Sequence, residues 1–390
     1  MPNHIALLNS LARWIALSVN TYLCAAMQTS TSSSRPVAIW VMTGVIMLLI
    51  QVILGGITRL TGSGLSITEW NIMTGALPPL NHAQWLEAFD KYRQTPQFRL
   101  INADFTLSDY KFIFFWEWFH RLWARLVAVV FVAGLAWLLW KKKMRQDMIR
   151  PLVILFLLGA LQGAVGWIMV ASGLTGDAIY VRPTRLALHF VFALGLIVYA
   201  FWFALQLVVS GGHIVRAPAS GKGAGLRGWT IMILVVVFFQ LLYGALMAGN
   251  KAAAIAPTWP TINGDWIPDA LFSQRPFLQD IIGNTITVHF IHRGIAYLLL
   301  VLVVIWTFKA CRLSVVPKYF LTFRWLPLLL IGLQIFLGIT SLLASPGIIP
   351  NRWVAFDWLA QLHQITGLLF LLTIVEMLYI VRPVSHSVTV

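Results

Sequence analysis

Long apolar runs broken by short polar stretches dominate the chain. Eight of these runs reach roughly the 20 residues that cross a bilayer. They predict helices over 38–57, 112–140, 150–172, 184–208, 228–249, 284–309, 322–344 and 356–381. Pro183 can open a helix, and Gly173, Gly211 and Gly212 follow helix ends. A weaker apolar segment, Ile5 to Met27, is interrupted by Ser10, Arg13, Ser18 and Asn20, and lacks a convincing cleavage site. It is compatible with an extra span, an interfacial helix or extended chain, so residues 1–37 stay unassigned. The predicted fold is an all-α polytopic membrane protein with eight transmembrane helices in two pseudo-symmetric four-helix bundles. The first unit covers 38–210, with a long outer loop at 58–111; a cytoplasmic linker covers 211–227, and the second unit covers 228–382.

Composition sharpens this reading. Apolar residues make up 59% of the chain and charged residues 11%, with a mean hydropathy of +0.80. Those values exclude an ordinary soluble enzyme, a disordered chain and a coiled coil. Two cysteines, Cys24 and Cys311, exclude a disulfide scaffold, a zinc finger and a cysteine-ligated iron–sulfur cluster. The net charge of +15 is a topology signal. Lys141, Lys142, Lys143, Arg145 and Arg150 follow the second span. Arg216, Lys222 and Arg227 follow the fourth, and Lys309, Arg312, Lys318 and Arg324 the sixth. Basic short loops face the cytoplasm, so both termini are expected inside, in a bacterial inner membrane, with lipid and not nucleic acid as the partner.

The two halves repeat. Glu117-Trp118-Phe119-His120-Arg121 matches His289-Phe290-Ile291-His292-Arg293, and Leu186-Ala187-Leu188-His189 matches Ala360-Gln361-Leu362-His363. The offsets, 292 − 120 = 172 and 363 − 189 = 174, are nearly one register. Each odd span also holds Gln-x-x-x-Gly: Gln51/Gly55, Gln162/Gly166, Gln240/Gly244 and Gln334/Gly338. Such glycines let helices, or a flat macrocycle, approach closely, and helix contact is the plainer of the two explanations. Repeats of four spans preserve direction, so His120, His189, His292 and His363 all lie roughly 8–12 Å below the outer end of a helix at 1.5 Å per residue.

Intramembrane histidines either hydrogen-bond across helices or ligate a metal. Two histidines per half, without a carboxylate set, serve zinc or di-iron poorly; a porphyrin supplies four further nitrogens, so two axial imidazoles suffice. Duplication selects His292 over His289, which then occupies the place of Glu117. An acid at the centre of a span costs about 2.5–3.5 kcal/mol on insertion scales. Glu117 is therefore either a partner for Arg121 or Arg125, or a proton-handling group one turn from a ligand. Arg121 and Arg293 either pair with haem propionates or snorkel to headgroups.

The outer loops carry a resemblance. Gly55-Gly56-Ile57-Thr58-Arg59-Leu60-Thr61-Gly62-Ser63-Gly64-Leu65-Ser66, followed by Glu69-Trp70 and Gly75-Ala76-Leu77-Pro78-Pro79, resembles the first outer loop of haem A synthases. Phe105 to Lys111 leading into Glu117 to Arg121, and Thr258-Trp259-Pro260-Thr261-Ile262-Asn263-Gly264, are similar to further segments of that family. The resemblance covers roughly 38–382 and is nearest to the proteobacterial and mitochondrial branch. It implies oxidation of the C8 methyl of haem O to the formyl of haem A by two successive hydroxylations. His120 and His189 are implied to hold the substrate haem, His292 and His363 a haem b, and Glu117 to be the catalytic acid. Molecular oxygen or water, an unidentified electron donor or acceptor, haem O synthase and cytochrome oxidase assembly factors are the implied partners, and an oligomer is compatible. Two other classes fit four histidines: a di-haem electron-transfer cytochrome b, and a haem carrier or assembly module. Only the enzyme requires haem A among the bound pigments.

Overall fold

The computed structural model describes residues 35–69, 74–209, 214–215, 222–313, 316–349 and 352–382. The Ile5–Met27 segment, Trp70, Gly211, Gly212 and Arg216 lie outside them. Among the described residues, eight helices are long and apolar enough to cross a membrane. They are α1 (Arg35–Leu60), α2 (Leu107–Trp140), α3 (Gln146–Ala171), α4 (Pro183–Val208), α5 (Lys222–Gly249), α6 (Thr285–Cys311), α7 (Leu326–Ala344) and α8 (Ala355–Ile380). Among the described residues there is no strand, only an isolated bridge between Ile262 and Asp265.

Helix ends differ from the apolar runs where local chemistry extends them. α2 starts at Leu107 rather than near 112 because Thr106 and Asp109 form a capping box that satisfies the first backbone N–H groups. His120 consequently lies 120 − 107 = 13 residues into its helix, while His189, His292 and His363 lie 6, 7 and 8 residues in. The extra turns of α2 project into an outer layer. There Tyr110, Ile113 and Phe114 pack with Phe89 and Tyr92 of a short helix, His82–Arg93. The loop predicted at 58–111 is thus partly helical, and α5 takes the end of the expected linker by starting at Lys222.

α8 is the most enclosed helix, lying against α7, α5, α4 and α1. Its Phe370, Ile374 and Tyr379 join Phe201 and Phe203 of α4 and Trp306 of α6 in one apolar core. Trp306 donates to Thr230 Oγ1 at 2.8 Å, so the indole is buried without an orphaned donor. The outer helices α2 and α3 expose Val129, Val132, Phe156, Leu157 and Trp167. In water such a surface would be an aggregation liability; in a bilayer it is the lipid face.

Candidate haem-binding site

One contact recurs four times. The amide nitrogen of Gln51 in α1 lies 3.2 Å from both ring nitrogens of His120 in α2. Gln162 in α3 lies 3.2 and 3.4 Å from those of His189 in α4. Gln240 in α5 and Gln334 in α7 each lie 3.3 Å from Nε2 of His292 and His363. The glycine one turn on supplies room for the ring. A Cβ added at Gly55, Gly166, Gly244 or Gly338 would lie 3.1, 2.9, 3.4 or 3.0 Å from Cε1 of the same four histidines. The glycines therefore seat an imidazole, a more specific role than the helix contact expected of them. The spacing works because residues four apart lie on one face of a helix.

In the second half the two seats face each other. The rings of His292 and His363 have centroids 6.5 Å apart and cross at 71°. Two imidazoles on one metal, at about 2 Å per metal–nitrogen bond, have centroids roughly 6 Å apart. The pair fits a single ion between them. His289 is not part of either pair: it is buried and accepts from Arg293 Nε at 3.0 Å. Among the described residues no group of three or more histidines, cysteines or acids could hold a metal by itself, so two axial imidazoles and a macrocycle remain the donor set these residues suit.

Above each pair the ionisable residues tie an outer loop to a helix. Glu117 is 3% exposed and fully engaged. It accepts from Ser66 Oγ at 2.7 Å, from the Ile67 N–H at 2.9 Å and from Arg121 Nη2 at 2.5 Å. Arg121 also donates to the carbonyls of Ile67 and Glu69. With its side chain 12% exposed, it is turned inward rather than toward headgroups. Arg293 repeats the theme, donating to the carbonyls of Thr258, Pro260 and Thr261 at 2.6–3.2 Å. Outside the spans, hydrogen bonds to Glu69 and Glu87 push the Lys91 ammonium above the ordinary lysine range. That pair fastens the short outer helix to the same loop, and burial pushes the Tyr92 phenol up to about 12.

A seam joins the halves beside the seats. Gln361 and Gln364, flanking His363, donate to the carbonyls of Ile53 and Val52 in α1 at 3.2 and 3.0 Å. Gly56 leaves the space for both amides. Sequence reasoning missed these glutamines, and missed Ser66 as the partner of Glu117. It also missed Glu376, a buried acid near the other end of α8 that accepts from the Tyr319 hydroxyl. An acid inside an apolar run was signal enough to find the last.

Residues 38–375 match the family of cytochrome oxidase assembly proteins designated COX15-CtaA. The chain is 40% identical over 343 residues to a protein named heme A synthase from Rhodopseudomonas palustris, covering 87% of this chain and 88% of that relative. It is 41% identical over 276 residues to a heme A synthase of Paracoccus denitrificans, covering 71% and 72%. A heme A synthase of Flavobacterium psychrophilum is 38% identical over 348 residues, covering 87% and 96%. This chain, with eight candidate spans among its described residues and four seated histidines, belongs to the COX15-CtaA family of cytochrome oxidase assembly proteins.

Proposed function

We propose that the protein is a haem A synthase that oxidises the C8 methyl of haem O to a formyl group. The observation that carries this reading is the fourfold Gln–His–Gly seat, with His292 and His363 spaced for one ion, in a chain about 40% identical to proteins of that name. His120 and His189 hold the substrate haem O; His292 and His363 hold a resident haem b, which supplies one-electron transfer when bound. The two units are the products of a duplication, embedded in a bacterial inner membrane with both termini cytoplasmic.

Each hydroxylation replaces a C–H bond of the methyl by C–OH: with molecular oxygen, the second oxygen atom leaves as water using two electrons and two protons from a donor; with water as the oxygen source, two electrons and two protons pass to an acceptor. The resulting gem-diol loses one water to give the aldehyde. The chain's part is to bind, orient and manage protons. Glu117, one helical turn before His120, is the proton-handling group of the first half. Ser66, Ile67 and Arg121 hold its carboxyl in place one turn from His120. The second half has a histidine that is not a ligand, His289, in that position and no carboxylate, which suits a site for electron transfer alone. Arg121 and Arg293, each next in sequence to a seated histidine, hold the outer loops to their helices and would be the residues to meet the propionates of a bound haem. Pairing with propionates requires them to exchange a carbonyl for a carboxylate, a trade that charge favours.

The test is oxygen-dependent pigment conversion. Membranes carrying the protein and supplied with haem O should accumulate a formyl haem, identified by mass after extraction. Haem b alone in both halves would favour the electron-transfer cytochrome. Exchangeable haem O without conversion would favour a carrier.

A further inference from the structure

Two donors beside the first seat have no acceptor. Among the described residues the Arg59 guanidinium makes no hydrogen bond or ion pair, in contrast to Arg121 and Arg293, which donate to loop carbonyls. The indole Nε1 of Trp116 is sealed from solvent without a partner. Both flank the same histidine. Arg59 follows Gly55 by one turn of α1, and Trp116 precedes His120 by one turn of α2, so each shares a face with one side of that seat. Helices α1 and α2 run antiparallel here, and Thr58 Oγ1 donates to the Trp116 carbonyl at 3.3 Å. Arg59 and Trp116 therefore stand at one level, about 6 Å outward of the seat at 1.5 Å per residue. The internal repeat does not carry them. The residues equivalent to Arg59 at the other three seats are Val170, Ala248 and Leu342, and the offset of 172 sets Val288 against Trp116.

Guanidinium and indole carry donors and no acceptor, so an anion's oxygens are what complete them. Asp357, one turn outward of Gln361 across the seam, does not fill that place. It accepts from the Val354 N–H at 2.8 Å, caps α8, and forms no ion pair with Arg59. Resting on the haem reading above, we infer that Arg59 and Trp116 form a carboxylate subsite for a propionate of the substrate haem, built into the first half alone. A macrocycle held through His120 is apolar except at its propionate edge. Charge is least costly toward the outer end of the helices, where these two donors stand. Arg121 must release a carbonyl to bind a propionate, and Arg59 has none to release. The C8 methyl lies beside one of the propionates on the ring. Holding that edge therefore fixes the in-plane rotation of the macrocycle, and with it the place of the methyl to be oxidised.

The experiment is a binding titration of haem O, and of its dimethyl ester with both propionates methylated, into the full chain purified with its haem b. The wild type is expected to prefer the free acid by about ten- to a hundredfold, the scale of a hydrogen bond to a charged group. Arg59→Met should lower that preference about tenfold by weakening the free acid while the ester binds as before. Trp116→Phe should lower it a few-fold in the same way, and it keeps the test valid should the Arg59 variant fail to fold. Equal weakening of acid and ester is the signature of a packing role and would overturn the proposal. So would a preference that stays at the wild-type value in both variants. A loss in Arg59→Met that adding Asp357→Asn restores would also overturn it, making Arg59 a counter-charge at the seam. Haem O binding that survives His120→Ala/His189→Ala unchanged would instead defeat the haem reading itself.

Discussion

In the first half α2 lies against α1 and α3 against α4, but α2 and α3 share at most a marginal contact; in the second half the equivalent helices, α6 and α7, pack together. Almost none of α2 is buried, while α6 contributes Leu299, Val303 and Trp306 to the core. The chemical difference runs parallel. Glu117 stands in the open half and His289 in the closed one, each bonded to the arginine four residues on. One cage design therefore occurs in two mechanical settings. A half that opens sideways toward lipid suits a hydrophobic substrate that enters and leaves, and a half closed by its own helices suits a resident group. On the proposed reading, haem in the first half exchanges with added haem O far faster than haem b leaves the second half. Equal exchange rates in a pigment-swap assay would remove the functional meaning of the asymmetry.

The largest mutational effect should fall on the one-sided carboxylate. Glu117→Ala is expected to reduce haem A output by about 10²-fold or more, within the usual range for a proton-handling group, with haem b content unchanged. Glu117→Gln keeps partners for Ser66 and Ile67 while removing the charge. Full output from it would reassign Glu117 to holding the loop. A smaller, graded effect is expected at the seats. A Cβ at Gly166 would meet His189 at 2.9 Å and one at Gly244 would meet His292 at 3.4 Å. Gly166→Ala should therefore weaken pigment retention about tenfold, on the scale of disturbing a ligand's support, and Gly244→Ala much less. Pigment-to-protein ratios measure both. The smallest effect belongs to the seam: Gln361→Leu and Gln364→Leu should each cost about 1 kcal/mol of stability, read as a lower thermal midpoint with pigment composition intact.

Much of this architecture was legible in the chain because membrane helices must satisfy their backbone internally, which leaves long apolar runs as an unambiguous signal. Repetition carried the site. His120, His189, His292 and His363 stood out as costly polar residues at matching registers, and Gln-x-x-x-Gly stood out by its fourfold recurrence. What the motif does was not legible. Gln51 meets His120 across 69 residues and Gln240 meets His292 across 52, and helix periodicity says which face a residue occupies, not which helix faces it. The same limit hid Ser66 behind Glu117 and the Gln361 and Gln364 bonds to α1. The outer cluster around Tyr92 and Tyr110 was obscured for another reason: its short helices are stabilised by tertiary packing and caps rather than by any long apolar run.

The division of labour between the halves can be tested with paired ligand variants and pigment mass analysis. The account predicts that His120→Ala/His189→Ala loses haem O and haem A but keeps haem b. His292→Ala/His363→Ala should lose haem b while still binding haem O. Depletion of the same pigment by both pairs, or of none, in proteins that remain inserted in the membrane would contradict it.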